Sequence, residues 1–258
     1  MQFKDFCFRV VSYLKYWYKA QNNLYLHTPF LFNFYNELQK SIPNEIAFNI
    51  GSYRNYLCEN HEEISLIELG SHRHGNKKIK ISDRYKRTSI NEKIGQILFN
   101  TAQYFNGNVL EVGTSLGVSC LYFSQAMKNK TITTIDINAI KNIIEPYNHL
   151  FDHVNFKTGD FDEEIPLFCN KNIKQKIVFL DGNHTFEATT KYYRLIEQLL
   201  EKESIVIVDD IRYNSEMHSA WKYICEKHQY NYAIDLGSIG MIINADNKAP
   251  KQYFYIKI

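Results

Sequence analysis

VLEVGTSLGVSCLYF, residues 109–123, runs an apolar stretch around Glu111 into Gly113, Ser115 and Gly117, then resumes with helical spacing. This is the pattern of a strand, a tight turn and a helix. Gly113 and Gly117 remove side chains where the backbone must turn sharply and approach a ligand, while Ser115 and Ser119 supply hydroxyls and an N-cap. A dinucleotide site would read G-x-G-x-x-G, so that a pyrophosphate rests on exposed helix N–H groups. Here the spacing is E-x-G-x-x-x-G. Glu111 would repel a pyrophosphate and attract a cation or an amino group, which counts against a nicotinamide-dependent dehydrogenase.

Working outward, apolar runs alternate with helical patterns from this point on: VLEV at 109–112, TITTID at 131–136, VNFKT at 154–158, KIVFLD at 176–181 and SIVIVDD at 204–210. Strands spaced by helix-length segments predict βαβ units and a parallel sheet covered on both faces. The intervening helices are expected over 116–128, 139–150, 185–201 and 215–228, with 161–174 poorer because Pro166 interrupts it. YNYAIDL at 230–236, a turn at Gly237, IGMIIN at 239–244 and QYFYIKI at 252–258 read as an antiparallel finish to the sheet.

Upstream the texture changes to a helical segment. An aromatic-rich helix is expected over about 3–19, with Phe3, Phe6, Val10, Leu14 and Trp17 on the face that packs on the domain or covers the substrate pocket. In HTPF, 27–30, Thr28 is an N-cap and Pro29 the first helical residue. Helices continue to about Cys58, and GSHRHGNKKIKISDRYKR at 70–87 reads as a basic loop. An amphipathic helix over 89–104, with Ile90, Ile94, Ile97 and Leu98 on one face, leads into the first strand. The chain therefore divides into an N-terminal helical or lid segment, 1–88, and a ligand-binding domain, 89–258.

In such a sheet ligands bind beyond the carboxyl ends of the strands. The second strand ends in Asp136, placed to accept hydrogen bonds from ribose hydroxyls, and the third is followed by Asp160, where a carboxylate can meet an exocyclic adenine amine. Together with Glu111, they imply a ligand with ribose and adenine but no phosphates. Asp181, Asp209 and Asp210 follow the next two strands. Adjacent strands lie about 4.8 Å apart, so these carboxylates crowd and must take up protons or hold a hard cation such as Mg²⁺.

These residues resemble a family, the class I S-adenosylmethionine-dependent methyltransferases, with LEVGTSLG as the first motif, TIDIN as the second and TGDF as the next acidic one. The resemblance spans about 89–243. It implies an α/β, Rossmann-like seven-stranded sheet of order 3-2-1-4-5-7-6 and S-adenosylmethionine as methyl donor. Glu111, Gly113, Ser115 and Gly117 would line its methionine end, Asp136 would bind the ribose and Asp160 the adenine region. The second acidic cluster is similar to that of the metal-dependent O-methyltransferases of the catechol and macrocin types. That likeness implies Asp181, Asp209 and Asp210 as ligands of a divalent metal, with Asp210 standing where the catechol branch has Asn. His184, three residues past Asp181, falls where the catechol enzymes carry a lysine base, so His184 and Asp181 are the expected catalytic residues. A histidine can take a hydroxyl proton near neutral pH.

The expected function is methylation of a small-molecule hydroxyl. Rival readings are RNA or N-methylation using the basic loop, and a non-catalytic nucleoside-binding or scaffolding protein. LDGN, where an NPPY-type tetrapeptide would stand, speaks against N-methylation. Among 258 residues, 45% apolar content is ordinary and a net charge of +2 implies neither nucleic acid nor membrane as partner. Five cysteines without C-x-x-C spacing suggest neither a disulfide framework nor a zinc site, and the charges within the first helix leave no membrane span. A cytoplasmic protein is expected, with a homodimer among its allowed assemblies.

Overall fold

The computed structural model describes residues 3–22, 26, 28–68, 75–245 and 250–258. Of the stretches read above, His27 and the 70–74 part of the basic stretch lie outside the described residues.

The N-terminal part forms α1 (Phe3–Lys19), α2 (Pro29–Leu38) and α3 (Asn44–Glu59), then β1 (Glu63–Glu68), β2 (Gly75–Lys80), α4 (Ile81–Thr88) and α5 (Glu92–Phe105). Thr28 caps α2 as expected, its hydroxyl accepting from Leu31 N. From residue 75 on, the expected basic loop is instead strand and helix. Ile79 in β2 faces Ile64 in β1 across an antiparallel pair, with Lys80 opposite Glu63. Alternation between lysine and isoleucine in KIKI outweighs the charge of the stretch, since period-two burial suffices to specify a strand. Among the described residues no helix is long and apolar enough to cross a membrane.

The remainder is β3 (Val109–Val112), α6 (Val118–Ala126), β4 (Ile132–Asp136), α7 (Lys141–Ile144) with a 3₁₀ turn at Glu145–Leu150, β5 (Val154–Thr158), α8 (Phe161–Asn170), β6 (Gln175–Leu180), α9 (Phe186–Glu197), β7 (Leu200–Val208), α10 (Ser215–Lys227), β8 (Tyr232–Asp235), β9 (Gly240–Asn244) and β10 (Gln252–Tyr255). The stretch expected to be poor is helical after all, because Asp160 caps α8 and the helix runs through Pro166. The sheet order is β10-β8-β9-β7-β6-β3-β4-β5. Its inner seven strands follow the expected order, and β9 is antiparallel to both neighbours. The finish differs: β10 is an eighth strand, parallel to β8. Gln252 N donates to Asn231 O, so β10 begins beside the start of β8 and runs in the same direction.

Alternation along the strands feeds two cores. Val109, Ile132, Phe179 and Ile207 face α2, α3, α5 and α6, whereas Leu110, Ile135, Val178 and Val206 face α8, α9 and α10. Burial on both faces explains the near-continuous apolar strand sequences.

α1 reverses its expected orientation. Phe6, Val10, Leu14 and Trp17 are exposed, while Ser12 and Tyr16 are buried. The inward face is set by Tyr16, whose hydroxyl donates to Ile256 O, and by Arg9, which donates to Tyr213 O.

Candidate active site

The carboxyl ends of β3, β4, β6 and β7 open on one cavity of about 840 Å³, bounded at one end by the glycine turn and at the other by α1 and the loops after β6 and β7. Gly113, Ser115, Asp136, Asp181, His184, Asp209 and Asp210 all line it. Glycine is required at 113: φ is +105°, and a Cβ there would stand 2.2 Å from the Asp181 carbonyl oxygen. The turn after β3 is thereby pressed against the start of the loop after β6.

Asp136 holds the glycine turn. Its Oδ2 accepts from Ser115 N at 2.8 Å and its Oδ1 from Asn138 N at 2.8 Å. Burial raises its carboxyl above the ordinary value, against the pull of those N–H groups and of Arg84. Asn138 in turn grips β1 with both ends of its amide, Nδ2 donating to Ile67 O and Oδ1 accepting from Ile67 N. With the 3.1 Å contact between the Thr88 and Ser115 hydroxyls, this ties the β1–β2 hairpin and α4 across the crevice.

Three expected cofactor residues do not line the cavity. Glu111 is fully buried, because β3 directs its side chain sideways into the α6 layer rather than out of the strand end. Its Oε2 accepts from the Thr134 hydroxyl, while among the described residues Oε1 has no hydrogen-bond partner. Burial pushes its carboxyl up to about 7. Gly117 opens α6 in the left-handed region at φ +73°. Asp160 spends Oδ1 on Asp162 N as the cap of α8. All three shape the walls from outside the cavity.

At the other end, backbone bonds from Asp181 N to Val112 O and from Asp209 N to Leu180 O continue the sheet ladder and set the two carboxyls side by side. Burial, then the charges of Asp209, Asp210 and Glu111, drive the Asp181 carboxyl well above its usual range. Asp209 is raised to about 7 by burial and by Asp210. His184 Nε2 lies 3.6 Å from Asp181 Oδ1, close enough for charge attraction but longer than a hydrogen bond. Ser115, Asn183 and Asp210 are left-handed without being glycine, and all three line this cavity. Such backbone conformations are costly and concentrate where a site fixes its groups.

Among the described residues no group of three or more His, Cys, Asp or Glu side chains converges as a metal site. The donor chemistry suits a hard cation, but Asp181, Asp209 and Asp210 do not form a ready three-ligand cluster.

Sequence reasoning set α1 on the domain or over the substrate pocket by its apolar row, but it is the polar face that supplies a wall. Asp5 and Arg9 line the cavity. Tyr13, one turn on, has its phenol pushed up by burial and by the charges of Asp210 and Asp209. The signal was present: Asp5, Arg9, Tyr13 and Tyr16 recur at helical spacing. A buried ion pair fixes this wall. Arg212 donates to both oxygens of Asp235, at 2.7 and 2.6 Å, and its guanidinium lies 5.0 Å from the Tyr16 ring centroid.

Comparison with known proteins agrees with this geometry. Residues 110–211 match the family model of a methyltransferase domain. No curated protein matches the chain. Among solved structures it is similar to the Bacillus cereus O-methyltransferase in complex with SAH, at 17% identity and TM-score 0.53, covering 61% of this chain and 83% of that one. It is also similar to the SAH-bound Podospora anserina methyltransferase PaMTH1, at 14% identity and TM-score 0.54, covering 81% and 90%. A third is the O-methyltransferase TomG from Streptomyces achromogenes in complex with SAM, at 11% identity and TM-score 0.53, covering 82% and 94%. Residues 110–211 thus match a methyltransferase domain, and the fold is the Rossmann-like one of the methyltransferases that the chain resembles.

Proposed function

We propose that the enzyme methylates a hydroxyl oxygen of a small-molecule acceptor, with Gly113, Ser115 and Asp136 at the donor end of the cavity and Asp181, His184 and Asp209 at the acceptor end. One observation carries this reading: a crowded carboxyl pair lines the same cavity as the glycine turn, which packs directly against Asp181. The fit to the donor rests on the cradle at Gly113 that any Cβ would fill and on the carboxylate at the end of β4.

When bound, S-adenosylmethionine supplies an electrophilic methyl on a sulfonium centre. The bond from that carbon to sulfur breaks as the bond to the acceptor oxygen forms, leaving neutral S-adenosylhomocysteine. The chain's own task is the hydroxyl proton. Burial and mutual repulsion raise both carboxyls of the Asp181–Asp209 pair, which makes the deprotonated form a stronger base toward a positioned hydroxyl than an ordinary carboxylate. His184, beside Asp181, is the alternative acceptor or relay.

The test is methyl transfer from S-adenosylmethionine across a panel of phenols. Asp209→Asn is expected to lower kcat roughly a hundredfold, as loss of a general base does, while leaving S-adenosylhomocysteine affinity unchanged. In the wild type kcat should rise with pH through about 7 as Asp209 loses its proton. An unchanged rate in the variant would remove the pair from the chemistry.

A divalent cation on Asp181, Asp209 and Asp210 is the second reading, favoured only by the crowding of these carboxyls, and no step above runs through it. Activity abolished by EDTA and restored by Mg²⁺ would support it; activity indifferent to both would dismiss it. RNA methylation has less support, since Arg84 and Arg87 of the basic stretch line the cavity itself.

A further inference from the structure

The acceptor end of the cavity is electrically two-sided. The carboxyls of Asp181, Asp209 and Asp210 line it, while α1 brings a guanidinium, Arg9, against Tyr213 of the loop after β7. Arg84 and Arg87, the other arginines on the cavity, come from α4, which is tied to the donor end through Thr88 and Ser115, and Arg84 acts electrostatically on Asp136. Arg9 is therefore the acceptor end's own guanidinium.

Arg9 is held in a particular orientation. Its guanidinium carbon lies 4.3 Å from the Tyr213 ring centroid, and Nε donates to Tyr213 O at 2.6 Å. Stacking and that single bond fix the plane of the group while sparing its end-on fork: among the described residues neither Nη has a hydrogen-bond partner or a carboxylate within ion-pair distance. A guanidinium fixed in plane with two parallel N–H groups available is matched to a carboxylate or phosphate. Between Arg9 and the carboxyls the wall is aromatic, with the Tyr213 and His184 rings 5.7 Å apart at centroids. A flat spacer suits it better than a flexible polar one.

We propose that the acceptor is a hydroxylated aromatic acid, its hydroxyl presented to Asp181 and His184 and its anionic group bound by Arg9. This rests on the methyltransferase reading and deepens it by naming the acceptor class. Arg9 acts here in binding and specificity and has no part in the proton transfer. The Arg9 cation also offsets the negative charge of the carboxyls, which would otherwise repel an acidic ligand from the cavity.

The test uses 4-hydroxybenzoate and its neutral isostere 4-hydroxybenzamide, titrated into protein saturated with S-adenosylhomocysteine. If S-adenosylhomocysteine itself does not bind, it is the methyltransferase reading that fails. Given that it binds, the acid should bind roughly tenfold or more tightly than the amide, the range expected of a charge-assisted pair. Arg9→Gln should abolish that preference by weakening the acid alone, and Arg9→Lys should restore part of it. S-adenosylhomocysteine affinity in Arg9→Gln should be unchanged, which certifies the fold. Equal binding of acid and amide, a preference that survives Arg9→Gln, or failure of both compounds to bind the loaded protein would each overturn the proposal.

Discussion

The two ends of the cavity are built in opposite ways. The donor end comes from the glycine turn and Asp136, which lie close in sequence and sit on the ends of adjacent strands. The acceptor end gathers Asp5 and Arg9 of the first helix, Asp181 and His184, Asp209 to Tyr213, and Ser238 from across the chain. A site made of one strand–turn–helix unit leaves a local pattern in the sequence. One assembled from distant loops leaves only scattered residues, whose meeting depends on tertiary packing.

That contrast predicts unequal consequences of mutation. Gly113→Ala should do the most damage, because the new methyl would collide with the Asp181 backbone at a φ that L side chains rarely adopt. S-adenosylhomocysteine binding should fall by two orders of magnitude or more, on the order of 3 kcal/mol. Near-normal binding in calorimetry would mean that the turn is not the donor site. At the other end, Arg212→Met leaves Asp235 buried without its partner, which should cost about 3 to 5 kcal/mol. The Tm should then drop by roughly 10 °C. A small drop with intact acceptor binding would show that α1 is held by other contacts.

Legibility followed the same division. The order of the inner seven strands was readable because parallel strands buried on both faces give continuous apolar runs, and the motif resemblance supplied their sequence. Gly113, Ser115 and Asp136 meet on one cavity for the same local reason. Glu111 does not line that cavity: spacing alone cannot show that β3 points it into the α6 layer, where it is fully buried. The polar face of α1 was overlooked because Phe6, Val10, Leu14 and Trp17 form the stronger hydrophobic row, yet that row is exposed. β10 was readable as a strand but not as a parallel one, since direction depends on which edge the preceding chain reaches.

Glu111 gives the mildest prediction and sharpens the contrast. Its pKa rises from 4.5 to about 7 on folding, so the native state holds the proton more tightly than the unfolded chain. The stability this brings is fully present below pH 4.5 and is lost as pH rises through about 7. At about 1.4 kcal/mol per pKa unit the loss is of order 3 kcal/mol at most, offset by whatever other groups do. Denaturant unfolding from pH 5 to 8 should show a steeper decline in wild type than in Glu111→Gln. Parallel curves would mean that Glu111 stays charged and finds a partner for Oε1.

The central claim is that the glycine turn and Asp136 hold the nucleoside of a methyl donor. It is tested most directly by melting the protein with S-adenosylhomocysteine and, separately, with NAD. Ligand at about a hundred times its Kd adds roughly 2.7 kcal/mol to a native state that alone binds it. The account predicts a rise of several degrees with S-adenosylhomocysteine and none with NAD. A rise with NAD, or with neither ligand, would contradict it.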